Sequence, residues 1–137
     1  MNTTTQRVGA LRGASLKVTE AAIRAYAELT NDLNPIHLDA EFAARTPMGR
    51  PIAHGTMSLC LIWQCLGRNF TAKQLAAMEL DVRFVKPVHI GDQLGAGGEP
   101  DAEAPGQWKV WVRAQDGIDR IVGTARSATQ RSLTLPD

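Results

Sequence analysis

Between Gly55 and Phe70 the chain carries Met57, Leu59, Cys60, Leu61, Ile62, Trp63, Cys65 and Leu66, apolar side chains at nearly every helical angle. A helix apolar on all faces has to be enclosed, because each face left in water forfeits burial. At about 15 residues it falls short of the roughly 20 that span a bilayer. The stretch therefore predicts a core helix. The rest of the chain has to supply its cover.

That cover reads mostly as strands. Leu80, Val82, Phe84 and Val88 alternate with Asp81, Arg83 and Lys86 around Pro87, which predicts a strand at an edge or with a bulge. Ile90-Gly91-Asp92-Gln93 reads as a turn into the next strand, and Gly97 to Gly106, with Pro100 and Pro105, as a loop or hairpin tip. Trp108, Val110 and Val112 alternate with Lys109, Trp111 and Arg113, and Asp116-Gly117 is a turn signal before a last strand over Ile121 to Thr129. The tail, Arg131 to Asp137, is expected to fray.

Upstream, Met1 to Gly13 is also expected to fray, and Ala14 to Val18 suits a short strand. Thr19 can cap a helix over Ala21 to Leu29, with Ala22, Ile23, Tyr26 and Leu29 on one side. Asp39 can cap a second over Ala40 to Arg45, ending before Pro47. Thr71 to Met78 reads as a short helix or turn. Together these elements predict one α+β domain over residues 1–137, an antiparallel sheet wrapped around a buried central helix. A single sheet on one helix leaves an open edge and an apolar face, so a homodimer or larger homo-oligomer is expected.

A net charge of +1, without a basic run or interleaved aromatics, gives no footprint for nucleic acid. Cys60 and Cys65, five residues apart in the apolar stretch, match neither a zinc nor a redox pattern and read as small core residues. Met1 to Gly13 has no apolar signal region, and no stretch is long enough to be a membrane span, so the cytoplasm is the expected location.

The chemistry concentrates in Thr30-Asn31-Asp32-Leu33-Asn34-Pro35-Ile36-His37. Pro35 pushes Asn34 out of the α region, so the helix cannot continue and the chain must turn. A carboxylate and an imidazole on one loop can hold a water between them, the arrangement of general acid/base catalysis. In isolation the same residues more often just satisfy one another and the backbone in a surface turn.

This stretch, with Leu38-Asp39-Ala40-Glu41-Phe42-Ala43 after it, resembles the hydratase signature of the MaoC-like, R-specific enoyl-CoA hydratases and the related hydroxyacyl thioester dehydratases. The resemblance extends through Gly49-Arg50-Pro51-Ile52-Ala53-His54-Gly55 and on to Phe84-Val85-Lys86-Pro87-Val88-His89-Ile90-Gly91-Asp92, about half the chain in all. It implies a hot-dog fold with Asp32 and His37 as the catalytic pair and Asn34 as the motif asparagine. Asn31 stands where the family pattern usually has glycine, and asparagine tolerates left-handed backbone better than most residues.

The resemblance also gives the Gly55 amide the task of stabilising the thioester oxygen, which suits an unpaired N–H at a helix start. His54 could be a second base or fix the loop and helix start. With Asn34 and Thr56 it is placed on the substrate side. Some family members carry a serine further along this helix; Trp63 stands near that place, leaving Ser58 or Thr56 as substitutes. Phe42 and Met48 could line an acyl pocket or pack in the core.

The activity implied is reversible addition of water to a trans-2-enoyl thioester, giving the R-3-hydroxyacyl product. Coenzyme A, or an acyl carrier, enters as part of the substrate, with its phosphates near Arg50, Arg83 or Lys86. No metal and no separate cofactor is called for. The alternatives are a non-catalytic acyl-thioester-binding subunit of a larger complex and an acyl-CoA thioesterase.

Overall fold

A computed structural model describes residues 10–129 and 132–137. In chain order the elements are β1 (Ala14–Lys17), α1 (Glu20–Thr30), α2 (Pro35–Leu38), α3 (Ala40–Ala44), α4 (Gly55–Gly67), α5 (Ala72–Ala76), β2 (Met78–Phe84), β3 (Gln93–Pro100), β4 (Trp108–Arg113) and β5 (Asp119–Ser127). The strands form one sheet in the order β1-β3-β4-β5-β2, every neighbouring pair antiparallel. α4 packs on β1, β3 and β4. Leu61, Ile62, Cys65 and Leu66 on the helix meet Val110, Val112, Ile121 and Ala125 of the sheet in one continuous core. This is the predicted helix wrapped by a sheet, with β2 at the predicted edge.

The sheet covers only one side of α4. Met57, Ser58, Leu61, Ile62, Cys65 and Leu66 are buried, but Cys60 is exposed and Trp63 is 39% exposed. The expectation that α4 is enclosed all round, with both cysteines in the core, therefore holds for Cys65 and fails for Cys60. Residues 60 and 63 lie one turn apart on the face turned away from the sheet, which the described residues leave open. Burial pushes the Cys65 thiol pKa up, as befits an inert core cysteine.

Four other expectations change. On α1 the buried residues are Ile23 and Ala27, while Leu29 is 82% exposed. The turn forced by Pro35 is short: Pro35 opens α2, with the Asn34 side chain accepting from the Ile36 N–H. Proline suits the first position of a helix because its missing N–H would have no acceptor there.

Gly97 to Pro100 belongs to β3 rather than to a hairpin tip. The glycines there serve close packing, since a Cβ on Gly97 would lie 3.0 Å from the Trp111 indole nitrogen and one on Gly98 2.7 Å from Leu11. The described part of the tail is held as well. Leu133 is buried, donates its N–H to Gly106 and accepts from the Trp108 indole. Residues 10–13 are held similarly, with Leu11 donating to the Gly98 carbonyl and the Asn69 amide donating to that of Arg12. Residues 1–9 and 131, included in the fraying expected at both ends, lie outside the described residues.

Candidate active site

Three segments far apart in sequence meet at the start of α4. The first is the end of α1. Thr19 caps the helix by accepting from the Ala22 N–H, and Asn31 ends it in the left-handed region at φ 56°, its N–H returning to the Ala27 and Glu28 carbonyls. That reversal delivers Asp32, and α2 then presents His37. The second segment, Pro51 to His54, is held extended between α2 and the β2–β3 connection: Ile52 donates to the Ile36 carbonyl, Ala53 to Val88, and Ile90 to Pro51. The third is Phe84 to Val88, following β2. Its Phe84 ring stands over Gly55, where an added Cβ would come within 3.1 Å of the ring.

At the junction Asp32, His37 and His54 each place one side-chain donor atom within 4.8 Å of the other two. The imidazoles of His37 and His54 stack at 3.8 Å between centroids and 25° between planes. Each ring is tied by one nitrogen to a main-chain carbonyl, His37 Nδ1 to Ile52 at 2.7 Å and His54 Nε2 to Asp32 at 3.0 Å. A carbonyl only accepts, so these nitrogens carry the protons. In the neutral rings the lone pairs are then His37 Nε2 and His54 Nδ1. A carboxylate and two imidazoles are also ligand types for a divalent transition metal.

Gly55 is the first residue of α4, and its N–H has no acceptor among the described residues, as expected for the first turn of a helix. It borders a cleft of about 320 Å³, whose wall is mostly apolar: Met48, Ile52, Ala53, Phe84, Val85, Pro87, Val88 and Ile121, with His37, Ser58 and Lys86 the polar exceptions. The cleft brings together residues from every stretch on which the resemblance rested.

Asp32, His37, His54 and Gly55 thus gather at one place. Asn34 stands beside it, its side-chain oxygen taken up by capping α2. Thr56 accepts from the Tyr26 hydroxyl at 2.7 Å, joining α1 to α4. Of the two acyl-pocket candidates, Met48 lines the cleft, whereas Phe42 is exposed on α3. Of the three basic candidates Lys86 borders the cleft; Arg83 lies in a groove with Trp111 and Arg113, and Arg50 is exposed in the turn before Pro51. Sequence reasoning placed Tyr26 only on the apolar side of α1 and gave it no part in the site, because its contacts with Thr56 and His54 join segments about 30 residues apart.

The chain matches the family model for the MaoC-like domain over residues 4–117. It is 34% identical over 96 residues to the (R)-specific enoyl-CoA hydratase of Aeromonas caviae, a match covering 70% of this chain and 72% of that protein. Over 76 residues it is 40% identical to the 3-hydroxybutyryl-CoA dehydratase of Methylorubrum extorquens, covering 56% of this chain and about half, 48%, of that protein. Among solved structures, an unliganded R-hydratase of Pseudomonas aeruginosa aligns at a TM-score of 0.70 and 28% identity over 83% of this chain and 76% of that one.

With a five-stranded antiparallel sheet around α4, these likenesses define a hot-dog fold of the hydratase and dehydratase class. The chain belongs to the MaoC-like dehydratase family.

Proposed function

We propose that the protein hydrates trans-2-enoyl thioesters to R-3-hydroxyacyl thioesters, and reverses the reaction. The observation that carries this is the junction itself: a carboxylate, an imidazole lone pair and an unpaired helix-start N–H converge beside one apolar cleft. Water sits between Asp32 and His37. His37 Nε2, left unprotonated by the Nδ1 bond to Ile52, removes a proton as oxygen attacks the β-carbon. Asp32 orients the water. The Gly55 N–H stabilises the enolate-like oxygen of the thioester, and the proton returns to the α-carbon on the same face.

The thioester already makes the β-carbon electrophilic, so the reading needs neither metal nor organic cofactor. Coenzyme A or an acyl carrier comes with the substrate, and Lys86 is the basic residue placed to meet it. No helix among the described residues is long and apolar enough to cross a membrane, in keeping with a cytoplasmic enzyme. The uncovered Cys60 and Trp63 on α4 and the open β2 edge support pairing with a second copy of the chain.

The test is loss of enoyl absorbance with crotonyl-CoA, for wild type beside Asp32→Asn and His37→Ala. Hydration by wild type and a fall of at least about 100-fold in each variant are expected, the scale of a lost acid/base group. Full activity in both variants would discard the mechanism. Free thiol as product would make the protein a thioesterase, and no turnover of any enoyl thioester by wild type would leave a binding subunit.

A further inference from the structure

Three buried side-chain atoms have no hydrogen-bond partner among the described residues: His54 Nδ1, Ser58 Oγ and Arg120 Nε. Two of them belong to one feature. His54 occupies the N-cap position of α4 without a side-chain capping bond, and Ser58 lies four residues on, about one turn along the helix. Their side chains are almost wholly enclosed, His54 at 3% and Ser58 at 1% exposure. An orphaned polar group inside a protein loses its hydration without replacement, so two such groups at one helix start call for something that satisfies them. A second chain docking on the surface cannot reach atoms already buried. What can reach Ser58 is whatever enters the cleft, because Ser58 lines it and its hydroxyl turns on a single bond.

We infer that Ser58 forms a polar subsite for the acyl chain, and that the protein favours acyl thioesters bearing an oxygen substituent over plain alkyl ones. This rests on the hydratase reading for the position of the thioester. If its carbonyl sits at Gly55, Ser58 lies one turn further along the helix, about 4.5 Å of rise. For an extended acyl chain that is the neighbourhood of the γ and δ carbons. A keto or hydroxyl oxygen there accepts from the Ser58 hydroxyl, since Ser58 lines the cleft. Ile52, Ala53, Val85 and Ile121, which also line the cleft, carry no side-chain donor, and its other polar side chains are His37 and Lys86.

The experiment compares binding of hexanoyl-CoA and δ-oxohexanoyl-CoA, saturated thioesters that cannot be hydrated, to wild type and Ser58→Ala by calorimetry. Alanine keeps the helix, and thermal unfolding verifies that the variant is folded. A wild-type preference of about fivefold to tenfold for the oxo compound is expected, the scale of one buried neutral hydrogen bond, and Ser58→Ala should abolish it. Equal affinity in wild type, a preference that survives Ser58→Ala, or failure of both thioesters to bind would overturn the subsite and leave the serine satisfied by water alone. The outcome is separable from the hydration assay: a protein that discriminates the pair without hydrating crotonyl-CoA keeps the subsite and loses the hydratase reading.

Discussion

The His37 and His54 rings lie stacked 3.8 Å apart, and each is oriented by a carbonyl of the segment that carries the other's neighbour: Ile52 for His37, Asp32 for His54. The two loops therefore fix each other's imidazoles. Replacing His54 removes both the stack and the tie to the Asp32 backbone. His54→Leu is expected to lower kcat for enoyl hydration about tenfold, through misplacement of Asp32 and His37. His54→Phe, which keeps a ring against His37, should lose less. Steady-state kinetics on both variants checks the order, and equal losses would mean that the stack contributes nothing.

The amide of Gly55 can be tested without disturbing the helix. His54 has ψ 133°, a conformation suited to a residue before proline, and proline is accepted at the first helical position. Gly55→Pro deletes the N–H, while Gly55→Ala adds a Cβ against Phe84 but retains it. The proline variant is expected to fall about 100-fold below the alanine variant in kcat, the scale of one lost oxyanion donor. Similar rates in the two would remove Gly55 from the mechanism.

Stability rests in part on a buried charge pair behind the site. Asp92 and Arg120, with side chains 3% and 8% exposed, lie 3.8 Å apart. Asp92 also accepts from the His89 N–H and the Gln115 amide, while Arg120 reaches Asp116 at 2.9 Å. Asp92→Ala takes one of the two carboxylates from the Arg120 guanidinium and removes the acceptor that holds the His89 N–H in the β2–β3 connection. A loss of about 3 kcal/mol is expected in urea unfolding, at the lower end for a broken buried pair because Asp116 remains.

Asp101 and Asp116 should make the fold acid-sensitive. The Glu103 N–H and the Gln107 amide hold the Asp101 carboxyl below its usual value near 3.8, and Arg120 and the Ile118 N–H do the same for Asp116. A carboxyl depressed in the folded state adds stability above its unfolded pKa and loses it as pH falls through the folded one. Thermal midpoints of wild type and Asp101→Asn should therefore differ most above about pH 4 and converge as the pH falls below it. A constant difference across that range would rule out this linkage.

The uncovered face of α4 predicts association. Light scattering should give twice the mass of the chain, and Trp63→Glu should shift the equilibrium to monomer without unfolding it, since Trp63 is 39% exposed in the single chain. A wild-type monomer at micromolar concentration would contradict the pairing.

Much of this was present in the sequence because it is local. The Thr19 and Asp39 caps, the left-handed Asn31, the Gly91 and Gly117 turns and the alternation in β4 depend on a residue and its near neighbours, and all stand where the sequence places them. The nearness of Asp32 to His37 was readable too, since the two stand five positions apart with Pro35 between them. What only the tertiary structure decided was contact at a distance: Phe84 over Gly55, Tyr26 on Thr56, the carbonyl of Ile52 setting the His37 tautomer, and Ser58 turned into the cleft. Apolar periodicity likewise predicted that α4 would be covered, but one sheet has one inner face. It could not show that Trp63 and Cys60 would be the residues left outside.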